Sequence, residues 1–110
     1  MEKKLQELYS KLVKISADYL IYQERNNIDK IKENIPEIQE FVVWFLESNK
    51  FAIEEGMYKE MCQNLVCIMN DILSAFQQGD RVLAQDAMAY GLLEYLELFV
   101  GREQVENDTV

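Results

Sequence analysis

Apolar residues return every three or four positions through most of the first hundred residues. That interval places side chains on one face of an α-helix. Leu5, Leu8, Leu12, Ile15, Tyr19 and Tyr22 step this way without a break and predict a helix from about Glu2 to Glu24 with a heptad seam. Tyr9, Ser16 and Leu20 widen one side of the stripe, so this helix is expected to pack against two neighbours. Arg25, Asn26 and Asn27 then read as a turn, because asparagine tolerates left-handed backbone and can cap the next helix.

A second seam runs through Ile28, Ile31, Ile35, Ile38, Val42 and Phe45, with Pro36 inside it. Proline removes a helical hydrogen bond and clashes one turn back. Either the helix kinks there, or a short helix ends near Asn34 and a new one starts with Pro36 in its first turn. The seam keeps its phase through the proline, which favours the kink. The connection to the next helix falls within residues 49–56, between Ser48-Asn49-Lys50 and Glu54-Glu55-Gly56.

A third helix is predicted from about Met57 to Gln78. Met61, Cys62, Leu65, Val66, Ile68, Met69, Ile72, Leu73 and Phe76 give it so broad an apolar arc that it is expected to be the most buried. Gly79-Asp80 is the clearest punctuation: a glycine for the left-handed C-terminal position, then an aspartate to accept from the first free amides of the next helix. The fourth helix follows from about Arg81 to Val100. Its small residues Ala84, Ala87 and Gly91 line up on one side, for close packing on a neighbouring helix or for a dimer contact. The expected fold class is all-α: a single-domain, antiparallel up-down-up-down four-helix bundle over residues 1–100, its second helix kinked or broken near Pro36. Residues 101–110 show no apolar period and are expected to form a frayed acidic C-terminal tail.

Within the second seam, Phe41 to Leu46 is the most apolar run and holds the single tryptophan. On a helical wheel Ile31, Ile35, Ile38, Val42 and Phe45 share a sector of roughly 80°, while Trp44 points well over 100° away. The face of Trp44 carries Glu37, Glu40 and Glu47. Two readings follow. Trp44 can be a shoulder of the core, since a bundle helix touches two neighbours. Alternatively, Trp44 and Val43, rimmed by Glu37, Glu40 and Glu47, form an apolar surface for a partner. That partner is another protein or, as the alternative, a second copy of this chain in a homodimer.

Charge narrows the partners further. The net charge is −9 over 110 residues, which disfavours nucleic acid and anionic membranes, both of which reward clustered lysine and arginine. No apolar run reaches the roughly 18 residues that cross a bilayer, and the N-terminus lacks the apolar stretch of a signal peptide. A cytoplasmic location is therefore expected. Cys62 and Cys67 point about 140° apart on one helix and cannot bridge within it; both are expected to be buried or half-buried thiols.

The chain has no histidine, which removes Glu-x-x-His metal helices and Ser-His or Cys-His nucleophile pairs. Asp86, Tyr90, Glu94 and Glu97 share a face in the manner of a solvated surface, with no nucleophile beside them. No catalytic, cofactor-binding or metal-binding residues are expected. A ligand cavity lined by Met57, Met61, Met69 and Met88 is the remaining small-molecule reading.

Gly-Asp-Arg-Val-Leu-Ala-Gln-Asp-Ala-Met-Ala-Tyr-Gly-Leu-Leu-Glu-Tyr-Leu, residues 79–96, is similar to a closing stretch of small all-helical proteins of Gram-positive bacteria. The match in type lies at Asp80, Val82 and Ala84, while Gln85-Asp86 and Tyr90-Gly91 depart from the pattern. Those proteins look like the flagellar secretion chaperones in size, acidity and build. The resemblance implies an adaptor that holds a helical segment of a client, and it assigns no residue a role.

Overall fold

A computed structural model describes residues 2–108, with side chains described from 3 to 100. The chain is all-helical, and no strand occurs among the described residues. In order the elements are α1 (Glu2–Tyr22), α2 (Asn27–Glu33), α3 (Ile35–Glu47), α4 (Glu55–Gln78), α5 (Arg81–Ala87), a π-helical turn (Met88–Leu92) and α6 (Leu93–Asp108). One core joins them: α1 lies along α6, α4 along α5 and the π turn, and α2 bridges α1 and α5.

The α1 seam is buried at Leu5, Leu8, Leu12 and Ile15, then leaves the core. Tyr19 is half-buried, and Leu20 and Tyr22, expected to face neighbours, stand 62% and 71% exposed. The chain turns away here. Gln23 adopts left-handed backbone (φ 53°), and the Glu24 N–H returns to the Asp18 carbonyl at 3.1 Å. Asn27, read from sequence as part of the turn, is instead the first residue of α2 and is buried. Its Nδ2 donates to the Arg81 carbonyl at 3.0 Å, tying α2 to α5.

The second seam survives, but the expected kink does not. The helix ends at Glu33 and restarts at Ile35, with Pro36 in the first turn of α3. That position costs nothing because proline's missing N–H has no helical partner there. Asn34 makes the break, its backbone N–H closing on the Ile31 carbonyl at 3.0 Å and its Nδ2 donating to the Lys30 carbonyl at 2.9 Å. Ile31, Ile38, Val42 and Phe45 remain buried on both sides of the break. Phase is thus carried by packing and not by a continuous hydrogen-bond ladder.

Between α3 and α4, Asn49 bonds both the N–H and the carbonyl of Ile53, and the Tyr58 hydroxyl donates to the Phe45 carbonyl at 2.6 Å. Glu54 caps α4, accepting from the amides of Gly56 and Met57 at 3.0 and 2.9 Å. Those two backbone donors hold its carboxyl below the ordinary glutamate value. The expectation that this helix is the most buried is not met. Leu65, Ile68, Ile72 and Ala75 form one buried stripe, while Val66, Leu73, Met57 and Cys67 are exposed. Cys62 and Cys67 are free thiols, and only Cys62 is half-buried.

Gly79 takes left-handed backbone (φ 64°) and the Asp80 N–H reaches the Ala75 carbonyl at 2.9 Å, while Asp80 Oδ1 accepts from the Leu83 N–H at 3.0 Å. The predicted hairpin punctuation is therefore present. Beyond it the helix is not uniform. Ala84, Met88, Leu92, Leu96 and Val100 are all buried, a spacing of four that would drift about 40° per step around a regular helix. The π turn lies in the middle of this series and takes up one residue of that drift. Gly91 lies in the same turn, where an added Cβ would meet Ile68 of α4 at 2.9 Å. The small-residue side is thus a close contact within the chain.

The expected frayed tail falls at residues 101–110, where side chains lie outside the described residues; the backbone of α6 is helical to Asp108.

Candidate functional site

Phe41 is nearly fully buried, and Val42 and Phe45 join it, so α3 is buried over an arc wider than the wheel stripe. Trp44 sits at the edge of that arc, half-buried. Its ring meets Phe41 at 6.3 Å between centroids, and meets both Phe51 and Phe99 edge-on at 5.9 Å. Phe51 and Phe99 stack on each other at 4.4 Å. The Lys50 ammonium lies 4.9 Å from the Trp44 ring centroid and also donates to the Trp44 carbonyl. Trp44 is a shoulder of the core with an internal cation over its ring.

The outward feature on this face is Val43, 55% exposed. An open hollow of about 440 Å³ lies beside it, lined by Pro36, Gln39, Glu40, Val43, Trp44 and Glu47. Four of the five residues expected from the wheel therefore line one concavity. Glu37 does not. It faces α1 and lines a smaller cleft of about 180 Å³ with Lys4, Leu5 and Leu8.

The acidic rim is partly neutralised from α1. Lys4 Nζ donates to Glu40 Oε1 at 2.9 Å and Lys11 Nζ to Glu37 Oε1 at 2.9 Å. The bond from Glu40 holds the Lys4 ammonium above its ordinary pKa. Both pairs are solvent-exposed, so each contributes little to stability. Glu47 makes no ion pair among the described residues and is the carboxylate left to meet an incoming cation. Wheel reasoning missed Lys4, Lys11, Lys50, Phe51 and Phe99, because each reaches this face from another element. The seven-residue interval from Lys4 to Lys11, which places both on one face of α1, was the one available signal.

Chemically the face can bury an apolar side chain and attract a cation. Among the described residues no group of three histidine, cysteine, aspartate or glutamate side chains could hold a metal ion, and no helix is long and apolar enough to cross a membrane. Asp86, Tyr90, Glu94 and Glu97 are exposed, with Glu97 accepting a hydrogen bond from the Tyr9 hydroxyl at 3.2 Å. Of the four methionines considered as a cavity lining, Met57 is more than half exposed and Met88 is fully buried. No protein-family model, curated protein or solved structure matches this chain.

Proposed function

We propose that this chain is a non-catalytic, cytoplasmic helical adaptor, chaperone-like in holding a segment of another protein against the outer face of α3. The observation that carries this reading is Val43, a large apolar side chain left exposed beside a concavity floored by Trp44. The matching partner segment supplies one apolar side chain for the hollow and one basic residue for Glu47.

The platform in this reading is an up-down-up-down four-helix bundle, with α2 and α3 as one interrupted helix and α5, the π turn and α6 as another. Cross-links in opposite chain directions support it. Lys4 and Lys11 pair with Glu40 and Glu37, Tyr9 and Ser16 bond Glu97 and Gln85, and Asn64 and Ile68 meet Tyr95 and Gly91.

The test replaces Val43 by photo-reactive benzoylphenylalanine in cells, with the same substitution at exposed Glu60 as control. Cross-links to a different protein, abolished by adding Glu47→Lys, support the adaptor. Cross-links only to a second copy, together with dimers in sedimentation equilibrium, convert the reading to a homodimer using this face. Equal cross-linking from both positions removes it.

A further inference from the structure

The opposite electrostatic character occurs at the end of the molecule where α1 finishes and α5 begins. An open hollow of about 610 Å³ lies there between Tyr19, Leu20, Gln23 and Arg25 on one side and Gly79 to Val82 on the other. Its apolar walls are unusually bare: Leu20 and Val82 are each at least 60% exposed, and Ile21 and Tyr22 continue the exposed surface on the last turn of α1. Such clustering of large exposed apolar side chains marks an interaction surface more than a solvated one.

Two arginines line the same hollow, Arg25 and Arg81. Neither makes an ion pair among the described residues, as is also true of Lys3, Lys32, Lys50 and Lys59, while Lys4, Lys11, Lys14 and Lys30 do. The chain has 20 acidic side chains against 11 basic ones, yet this one concavity brings together two arginines that no carboxylate pairs. The single carboxylate in the lining, Asp80, is engaged by the Leu83 N–H as the cap of α5.

Buried side chains cross-link the elements that carry the walls. Asn27 joins α2 to the Arg81 carbonyl at 3.0 Å, and buried Gln85 Nε2 donates to Ser16 Oγ at 2.7 Å across α5 and α1. The backbone of Arg81 is therefore tied to α2, while Arg25 lies in the turn between α1 and α2. Arginine presents a planar fork of donors suited to carboxylates.

We propose that this end of the molecule is a second docking surface, and that its occupant is an acidic protein segment bearing a bulky apolar side chain. The apolar side chain fills the hollow between Leu20 and Val82, and carboxylates of the segment meet Arg25 and Arg81. Together with the α3 face, which selects a basic segment, this makes the molecule a bridge between two partners of opposite charge.

The test uses two short amphipathic peptides with the same leucine and phenylalanine positions, one carrying glutamates and the other lysines between them, titrated into the isotopically labelled protein by NMR. The glutamate peptide is expected to bind with shifts centred on Tyr19 to Arg25 and Gly79 to Val82, and to weaken as salt is added. Arg25→Glu with Arg81→Glu lowers its affinity by at least about tenfold, while Val43→Asp leaves it unchanged. Both arginine side chains are exposed, and an unaltered circular dichroism melt shows that the double variant is folded. The proposal is overturned if the lysine peptide binds as well, if neither peptide binds, if the shifts fall on α3, or if the double variant retains full affinity.

Discussion

Gly91→Ala probes the packing of the π turn on α4 directly. An alanine Cβ at this position would lie 2.9, 3.0 and 3.1 Å from Cγ1, Cδ1 and Cγ2 of Ile68, against a carbon–carbon optimum of about 3.5–4.0 Å. Because both branches of the isoleucine are struck, no single rotamer change clears the contact, and the backbones must part by about half an ångström or more. Overpacking of this kind costs about 1–3 kcal/mol. The same substitution gains up to about 1 kcal/mol by removing a helical glycine. The expected net loss is about 1–2 kcal/mol, read by urea unfolding as a lower midpoint with an unchanged slope. Ile68→Ala removes all three clashing atoms and alone costs about 2–4 kcal/mol. Combined with Gly91→Ala it should be more stable than the sum of the singles by about 1 kcal/mol or more. If Gly91→Ala stabilises the protein, as it would on an uncrowded helix, or if the two substitutions are additive, the close approach of the π turn to α4 is wrong.

The two left-handed helix ends should respond oppositely to exchange of glycine. Gly79→Ala meets no atom within 4 Å, so its expected cost of about 1 kcal/mol is backbone strain alone, while Gln23→Gly relieves the same strain and should raise the melting temperature. Lys50→Ala uncovers the Trp44 ring, so acrylamide quenching of the single tryptophan should rise with little change in stability, and equal quenching would show that the lysine side chain does not shield it. Trp44→Ala, by contrast, opens the contacts with Phe41, Phe51 and Phe99 and should cost about 2 kcal/mol or more, whereas Val43→Asp leaves the fold intact. Asp18 accepts from Lys14 at 2.9 Å and from Lys30 at 3.2 Å, and those bonds hold its carboxyl below its ordinary 3.8. A carboxyl lowered in the native state adds stability that is complete above the ordinary value and is lost as pH falls through the native one. Thermal melts from about pH 7 to about pH 2 should therefore show a shallower acid loss for Asp18→Asn than for the unaltered chain.

The sequence by itself determined the helical class, the core stripes and the punctuation that local chemistry controls. Leu5 to Ile15 and Ile31 to Phe45 were readable because a helical interval places them on one face whatever the neighbours are. Gly79-Asp80 was readable because a left-handed backbone and a free amide each demand a particular side chain. Both signals act within a turn or two of chain.

The departures lie where distant elements decide. The break at Asn34 keeps the seam in phase, so its pattern is the same as that of a kink, and only the capping bonds of Asn34 separate the two. Leu20 and Tyr22 carry the α1 period yet stand exposed, because the chain turns away at Gln23 before another helix can cover them. Val66 and Leu73 widen the apolar arc of α4 in the same way without a neighbour to bury them. Trp44 became a half-buried shoulder of the core when Phe51 from the connecting loop and Phe99 from α6 packed against it and Lys50 lay over its ring, contacts between residues up to 55 positions apart. The acid rim was equally a tertiary matter, since Lys4 and Lys11 reach Glu40 and Glu37 from another helix. The hollow holding Arg25 and Arg81 had no sequence signal, because 55 residues separate two side chains that a single concavity brings together. A helical period states which side of an element is apolar. Only packing, by volume and by the reach of side chains across elements, decides which of those sides is covered and which is left for a partner.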